Sequence, residues 1–572
     1  MPRILAARLI LTLAPIFVPS LAGAVSPPPV EAGEGMAVTA QHYASEVGAD
    51  ILKRGGNAVD AAVAVGYALA VVHPCCGNLG GGGFATIHLA SGKDTFLNFR
   101  EKAPAAATET MYLDDKGEVV PRLSLDGYKA VGVPGTVLGL DTMLQRYGTM
   151  KREEVMAPAI RLAREGYVLK KGDVDILGQA TDAFAGQPNV ASIFLHDGKP
   201  WQVGDKLVQS DLAATLEAIQ KDGPDAFYKG PIAEAVSAAS EKNGGILTTQ
   251  DFADYSIDET DPVRCTYRGY AVISSPPPSS GGTTICEILG VVGAYPLDKL
   301  GFHSAESVHL MVEAMRHAYV DRNFSLGDPA FVDNPIKKLL SKEHAEAIRA
   351  EIKEGRATPS SEVQPGKEPH EGTETTHFSV VDKDGNAVSL TFTINALFGA
   401  KVIAGDTGFF LNDEMDDFTS KPGAANLFGL VQGKANAIAP GKRPLSSMSP
   451  TIVTKDGQIF MVVGSPGGSR IITITLEAIL NVIDHGMDIQ AAIDAPRIHH
   501  QWLPDKVFAE PFALSPDTRQ KLTDMGYEIE EQPTWGAAEG ILIHAPGAES
   551  TKTRVLAGAN DNRRPAGAAV GY

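Results

Sequence analysis

Near the middle of the chain a polar stretch, Lys353 to Glu374, is rich in Glu, Pro, Ser and Gly and lacks apolar periodicity, as an exposed linker would. It ends in Thr375-Thr376-His377-Phe378-Ser379-Val380-Val381, followed by Asp382-Lys383-Asp384-Gly385 and the alternating run Ala387 to Thr393. This pattern predicts strand, turn and strand. A linker that delivers Thr residues into a core hairpin puts them where a cut would leave a new N-terminal Thr at a sheet edge. The α-amine of such a residue has a reference pKa of about 7.7 to 8.0, far below that of Lys, so a neutral fraction exists near neutral pH. It can deprotonate the residue's own hydroxyl and make it a nucleophile. Taken alone, Thr-Thr before a strand is also what β-propensity produces.

Other stretches carry chemistry that such a nucleophile would need. Gly464-Ser465-Pro466-Gly467-Gly468-Ser469-Arg470 follows a strand-like run, Ile459 to Val463, and precedes an apolar helical run, Ile471 to Ile479. Backbone amides at a helix start stabilise an oxyanion without reorganising. Arg443-Pro444-Leu445-Ser446-Ser447-Met448-Ser449-Pro450 pairs hydroxyls with rigid prolines. It has no Gly-x-Ser-x-Gly and its serines precede a strand, which excludes a serine-hydrolase elbow. The run Asn412-Asp413-Glu414-Met415-Asp416-Asp417-Phe418 reads by composition alone as a solvated turn. The glycines Gly80 to Gly83 lack the Lys-Ser or Lys-Thr of a phosphate loop and lead into the alternating run Phe84 to Leu89, so they predict close backbone packing beside a strand.

The elements that must position these residues mix α and β patterns along the whole chain. Ala44 to Val72 reads as one or two helices broken at His73-Pro74, Tyr270 to Ser274 as a strand entering the stiff turn Pro276 to Gly282, and Ser304 as the cap of a helix over Val308 to Tyr319. The 572 residues, 44% hydrophobic and 21% charged, suffice for a sizeable core, and the net charge of −19 opposes binding to nucleic acid. Arg3 and Arg8 precede an apolar run from Leu9 to Leu21 and the small residues Ala22-Gly23-Ala24, a signal-peptide pattern with cleavage expected after Ala24. Export would permit disulfides, and either Cys75-Cys76 or Cys265 with Cys286 could oxidise. His73 and His499-His500 lack a matching ligand cluster, so neither a metal nor an organic cofactor is expected.

The long motifs Asn78 to Phe84, Gly132 to Thr136, Thr375 to Asn386, Asn412 to Phe418, Arg443 to Thr451 and Gly464 to Arg470 together resemble the γ-glutamyltranspeptidase (glutathione hydrolase) family of N-terminal-nucleophile hydrolases. The resemblance spans essentially the whole mature chain. It implies an α+β fold, a four-layer αββα sandwich formed by two segments of one precursor. It implies autocleavage between Glu374 and Thr375, with Thr375 as nucleophile and Thr393 beside it. It implies that Gly467 and Gly468 form the oxyanion hole, that Arg100 with Ser446 and Ser447 binds the substrate α-carboxylate, that Glu414 and Asp417 bind its α-ammonium, and that Asn395 contacts substrate. The sequence departs from some relatives at Phe428, where a Tyr would donate a hydrogen bond from the lid loop Pro422 to Gly433, and at Glu414, where some carry Gln.

The expected organisation is therefore a signal peptide, residues 1–24, a large subunit, 25–374, and a small catalytic subunit, 375–572, paired as a heterodimer. The expected location is the periplasm. The expected activity is γ-glutamyl transfer and glutathione hydrolysis, with γ-glutamyl compounds and acceptor amino acids or peptides as partners. The rival readings are a glutaryl or cephalosporin acylase of the same family and a non-catalytic periplasmic glutathione-binding protein.

Overall fold

The computed structural model describes residues 26–363, 375–544 and 554–572. The leader Met1 to Ala24 and the expected scissile residue Glu374 lie outside the described residues. Two seven-stranded sheets form the centre of the molecule. The first runs, in spatial order, Val30–Ala32, Val555–Asn560, Glu539–His544, Gln458–Gly464, Thr451–Lys455, Tyr270–Ser274 and Val263–Tyr267. The second runs Ala568–Gly571, Met36–Thr39, Thr376–Val381, Ala387–Thr393, Gly82–His88, Asp94–Phe99 and Asp258–Thr260. All neighbours in both sheets are antiparallel.

The predicted hairpin is the middle of the second sheet. Thr376 pairs with Phe392 and Val381 with Ala387. Its turn is closed by Asp382, whose Oδ1 accepts from the amides of Asp384 and Asn386 at 2.9 Å each, while Gly385 takes the left-handed φ of 92°. Met36, Val38, Val381 and Ala387 meet Ile452, Val462, Ile541 and Leu556 between the sheets. Hydroxyls also cross that layer: Ser379 donates to the Glu539 carbonyl and Ser389 to that of Val463, both at 3.2 Å.

Helices cover both outer faces. Ala44 to Val72 resolves into two, His42–Lys53 and Ala58–Val72, and the second is buried on every side, which explains its small apolar composition. Asn57 and Asp60 form a capping box at its start. Over the first sheet lie Gly281–Val292, Ile471–Ile483 and Ala305–Ser325, the last capped by Ser304 as expected. The architecture is the four-layer αββα sandwich. Both sheets combine strands from before and after residue 374, so the whole forms one unit.

One expectation changes, and one open alternative closes. The stretch from Lys353 is not an exposed linker throughout: Ala357 N donates to the Met525 carbonyl at 2.8 Å, and buried Ser360 donates through its amide to Asp505 at 2.7 Å and through Oγ to the Trp502 carbonyl at 2.5 Å. Polar side chains there satisfy buried acceptors, which composition alone cannot distinguish from solvation. Among the cysteines, Cys265 and Cys286 form a disulfide between an edge strand and a covering helix, while Cys75 and Cys76 are buried free thiols. Among the described residues, no helix is long and apolar enough to cross a membrane.

Candidate active site

Thr375 stands immediately before the central strand Thr376–Val381 and opens onto a cleft. Thr393, Asn395, Arg100, Glu414, Asp417, Ser446, Ser447, Phe428 and Gly468 line the same cleft. Residues separated by more than three hundred positions thus converge because the two sheets bring their ends together. At the end of the hairpin's second strand, Thr393 Oγ1 accepts from Asn395 N at 2.8 Å. Asn395 has φ of 73°, a conformation Asn tolerates, and its side-chain amide donates to the Asp413 carbonyl at 3.0 Å.

The glycine run beside this hairpin is shaped by close approach, as expected. A Cβ on Gly81 would lie 2.0 Å from the Thr393 carbonyl oxygen and one on Gly80 2.2 Å from that of Phe410. Asn412 ties the run to the acidic segment: its Nδ2 donates to the carbonyls of Gly80 and Gly132 at 2.8 Å, and its Oδ1 accepts from the amides of Gly132, at 2.9 Å, and Glu414, at 3.0 Å.

The run read by composition as a solvated turn is buried. Arg100 follows the strand Asp94–Phe99, and its Nη1 and Nη2 donate to Glu414 and Asp417 in two close ion pairs. Nε reaches the Pro444 carbonyl at 3.4 Å, and a third carboxylate, Glu101, lies 3.6 Å from Nη1. Burial opposes the charges of Glu414, Glu101 and Arg100. It raises Glu414 well above the usual carboxylate range and pushes Glu101 up to about 7, whereas Glu414, Asp417 and Glu101 together overcome the burial of Arg100 and hold it above its ordinary value. One guanidinium faces three carboxylates.

Ser446 and Ser447 are held from behind by the proline turn. Ser280 donates to the Ser446 carbonyl through its amide at 2.8 Å and its hydroxyl at 2.7 Å, Ser446 N donates to the Pro278 carbonyl at 2.8 Å, and Ser279 and Ser275 both donate to the Met448 carbonyl. Arg322, Leu430, Met448 and Ile471 complete the cleft and were not singled out from sequence. The available signal for Arg322 was a cation within the buried stretch of a capped helix, since Arg is seldom fully buried without a task.

Gly467 and Gly468 precede the helix Ile471–Ile483, with φ of 142° and 56°. Amides in a helix's opening turn lack partners within the helix, so this segment offers donors to a developing oxyanion. Over Gly468 lies the loop Pro422 to Gly433. Phe428, which has no hydroxyl to donate, packs its ring onto Gly468, so close that a Cβ there would meet Cδ1 at 2.3 Å. The loop is tied down by backbone: Asn426 Oδ1 accepts from Phe428 N at 3.0 Å and Leu430 N at 3.1 Å, and Asp416 accepts from Leu427 N at 2.8 Å.

Histidines near the site are not poised as bases. His377 is buried between the hydroxyls of Thr391, 2.8 Å away, and Ser379, 3.1 Å away, and burial lowers it to about 3. His499 meets Thr473 and Gln501 at 2.8 and 3.0 Å. His73 does have ligand-type neighbours, contrary to expectation: Cys75 Sγ is 3.4 Å from its Nε2 and Cys76 is beside them, because the chain folds back after Pro74.

The family model for γ-glutamyltranspeptidase matches residues 44–571. The chain belongs to this family. A glutathione hydrolase proenzyme from Pseudomonas sp. (strain A14) is 56% identical over 552 residues, covering 96% of each chain. Among solved structures, a cephalosporin acylase from Bacillus halodurans superposes with a TM-score of 0.83 at 28% identity, over 98% of this chain and 99% of that one. The γ-glutamyltranspeptidase of Helicobacter pylori matches with a TM-score of 0.56 at 47% identity, over 57% of this chain and 93% of the matched chain. This γ-glutamyltranspeptidase-family chain is an enzyme whose fold is that of the N-terminal-nucleophile hydrolases.

Proposed function

We propose that this chain is the precursor of a γ-glutamyltransferase and glutathione hydrolase that is exported to the periplasm, loses residues 1–24 and cuts itself between Glu374 and Thr375. The observation that carries the reading is the cleft itself: the residue that would become N-terminal shares it with two arginines, two buried carboxylates and two serines, groups that complement the charges of a free amino acid. In the precursor, the Thr375 hydroxyl attacks the Glu374 carbonyl and forms an ester that water cleaves. In the mature enzyme the free α-amine takes the hydroxyl proton, the oxygen attacks the γ-amide, and Gly467 and Gly468 stabilise the oxyanion. The proton passes to the departing amine of Cys-Gly, leaving a γ-glutamyl ester. Water then yields glutamate, or an acceptor amine yields a new γ-glutamyl amide.

Residues 25–374 and 375–572 remain paired as large and small subunits. The glutaryl or cephalosporin acylase reading draws on the acylase fold match, but a glutaryl group has no α-ammonium to face Glu414 and Asp417. Intact mass of the purified protein tests the proposal: two chains beginning at Val25 and Thr375 are expected, and Thr375→Ala leaves one inactive chain. A single wild-type chain, or turnover of γ-glutamyl anilide by Thr375→Ala, refutes it.

A further inference from the structure

The charges around Arg100 leave a difficulty for an incoming α-carboxylate. Both terminal nitrogens of Arg100 are already engaged by Glu414 and Asp417, and Glu101 adds a third carboxylate. An anion approaching this group alone meets a guanidinium already engaged by acidic side chains, in surroundings where burial strengthens any repulsion. The ammonium end of a substrate is well served there. Its carboxylate end needs a cation that is not already neutralised.

Arg322 is such a cation. It lies near the C-terminal end of the helix Ala305–Ser325, is 1% exposed, and lines the cleft with Thr375. Its partners are all neutral: Nε donates to Ser280 Oγ at 3.1 Å, Nη1 to Asn323 Oδ1 at 3.0 Å and Gln432 Oε1 at 3.1 Å, and Nη2 to Ser447 Oγ at 3.0 Å. Among the described residues no carboxylate pairs with it. Four of its five N–H groups are used, and the remaining one is on Nη2, the nitrogen that holds Ser447. A buried guanidinium without a counter-ion is costly unless an anion is meant to join it.

The contact with Ser447 has a directional consequence. Because Ser447 Oγ accepts from Arg322, its own proton is left to donate into the cleft. Ser446 Oγ likewise accepts, from Met448 N at 3.1 Å. Two hydroxyl protons and one guanidinium N–H are therefore available at the serine end. Ser280, which Arg322 also holds, fixes the Ser446 carbonyl. One side chain thus orders both serines and supplies charge behind them.

We infer that Arg322 is the second cation of the α-carboxylate subsite, neutralising the substrate carboxylate that Arg100, paired to Glu414 and Asp417, cannot neutralise alone. This rests on the γ-glutamyl reading above. The test compares self-processed wild-type enzyme, Arg322→Gln and Arg322→Lys on γ-glutamyl p-nitroanilide and on 4-aminobutyryl p-nitroanilide, which keeps the amine but lacks the α-carboxylate. Arg322→Gln should lower kcat/KM on the γ-glutamyl substrate by ~10- to 100-fold, the range for a hydrogen bond to a charged group, chiefly through KM. It should leave the 4-aminobutyryl substrate within about twofold. Arg322→Lys, which keeps the charge and loses the fork, should lose less on the first substrate and equally little on the second.

An equal fall on both substrates in either variant that self-processes, or undiminished preference for the α-carboxylate in Arg322→Gln, overturns the inference. Failure of both variants to self-process also overturns it, since Arg322 would then be needed for the fold rather than the subsite. A wild-type enzyme that stays in one piece, or ignores both anilides, instead refutes the underlying γ-glutamyl reading.

Discussion

Gly468→Ala tests the oxyanion segment and the lid together, because its new methyl group meets both. With φ of 56°, the residue sits in the left-handed region, where an L side chain costs about 1–2 kcal/mol. The added Cβ would also fall 2.3 Å from Cδ1, 2.7 Å from Cε1 and 3.0 Å from Cγ of Phe428. Ordinary carbon contacts are ~3.5–4.0 Å, so the ring has to retreat by more than about 1 Å. Phe428 is 4% exposed and its backbone is held by Asn426, so it cannot retreat without shifting the loop over the cleft. If the Gly468 segment is where negative charge develops, moving it removes a donor interaction of the kind worth roughly 10²–10³ in kcat. The assay is turnover of γ-glutamyl anilide after intact mass has established self-cleavage. Gly468→Ala should lose about 100-fold or more in kcat. Adding Phe428→Ala removes the collision, so the double variant should recover most of the loss relative to Phe428→Ala, the remaining left-handed strain lowering stability rather than kcat. Equal losses with and without Phe428 would refute the contact as the cause. Near wild-type turnover by Gly468→Ala would refute the segment's catalytic role.

Asp417→Asn should reduce kcat/KM on γ-glutamyl anilide by ~10- to 100-fold while sparing glutaryl anilide, which has no ammonium; parallel losses would remove Asp417 from ammonium recognition. His377 and Asp416 should give stability–pH effects of opposite sign. Burial holds His377 at about 3 against an unfolded value of 6.5, so its contribution is complete above pH 6.5 and is lost as pH falls towards 3; His377→Gln should lack that acid-side fall in Tm, and an unchanged profile would refute the assignment. Burial raises Asp416 from 3.8 to about 6, so the folded state loses stability as pH rises between those values, by about 3 kcal/mol in all. The Tm advantage of Asp416→Asn over wild type should therefore grow through this window and level off above pH 6, and a constant difference would show that Asp416 does not titrate there.

The hairpin, its turn, the capped helices and the glycine run were legible because each has a local cause that sequence displays: alternation, an Asp and Gly at fixed turn positions, Ser304 ahead of a helix, Gly where Cβ has no room. The acidic run Asn412 to Phe418 was not legible from composition. A charged turn at the surface and a buried one paired to Arg100 have the same residues, and only the partner more than three hundred positions away separates them. Arg322 was missed for the same reason, since its neutral partners come from three other places in the chain. Buried Ser360, in the polar stretch after Lys353, shows the converse, where polar composition suggested solvent yet its amide and hydroxyl serve Asp505 and the Trp502 carbonyl.

The arrangement of strands constrains when a cut at Thr375 could occur. Thr376–Val381 is flanked by its own hairpin partner on one side and by Met36–Thr39 on the other, and Ala387–Thr393 by Gly82–His88. The cleft is likewise divided, with Arg100 and Arg322 from before residue 374 and Thr393, Glu414, Asp417, Ser447 and Gly468 from after it. Neither segment alone contains both Thr375 and the two arginines of the cleft. Ordering the Thr375 hydroxyl against a carbonyl requires the flanking strands to be in place, since the hairpin by itself would be marginal in water. The precursor must therefore fold before it can cut. After the cut, the two sheets keep strands of both segments hydrogen-bonded side by side, so the bond that frees the α-amine can be lost without loss of the assembly that holds it.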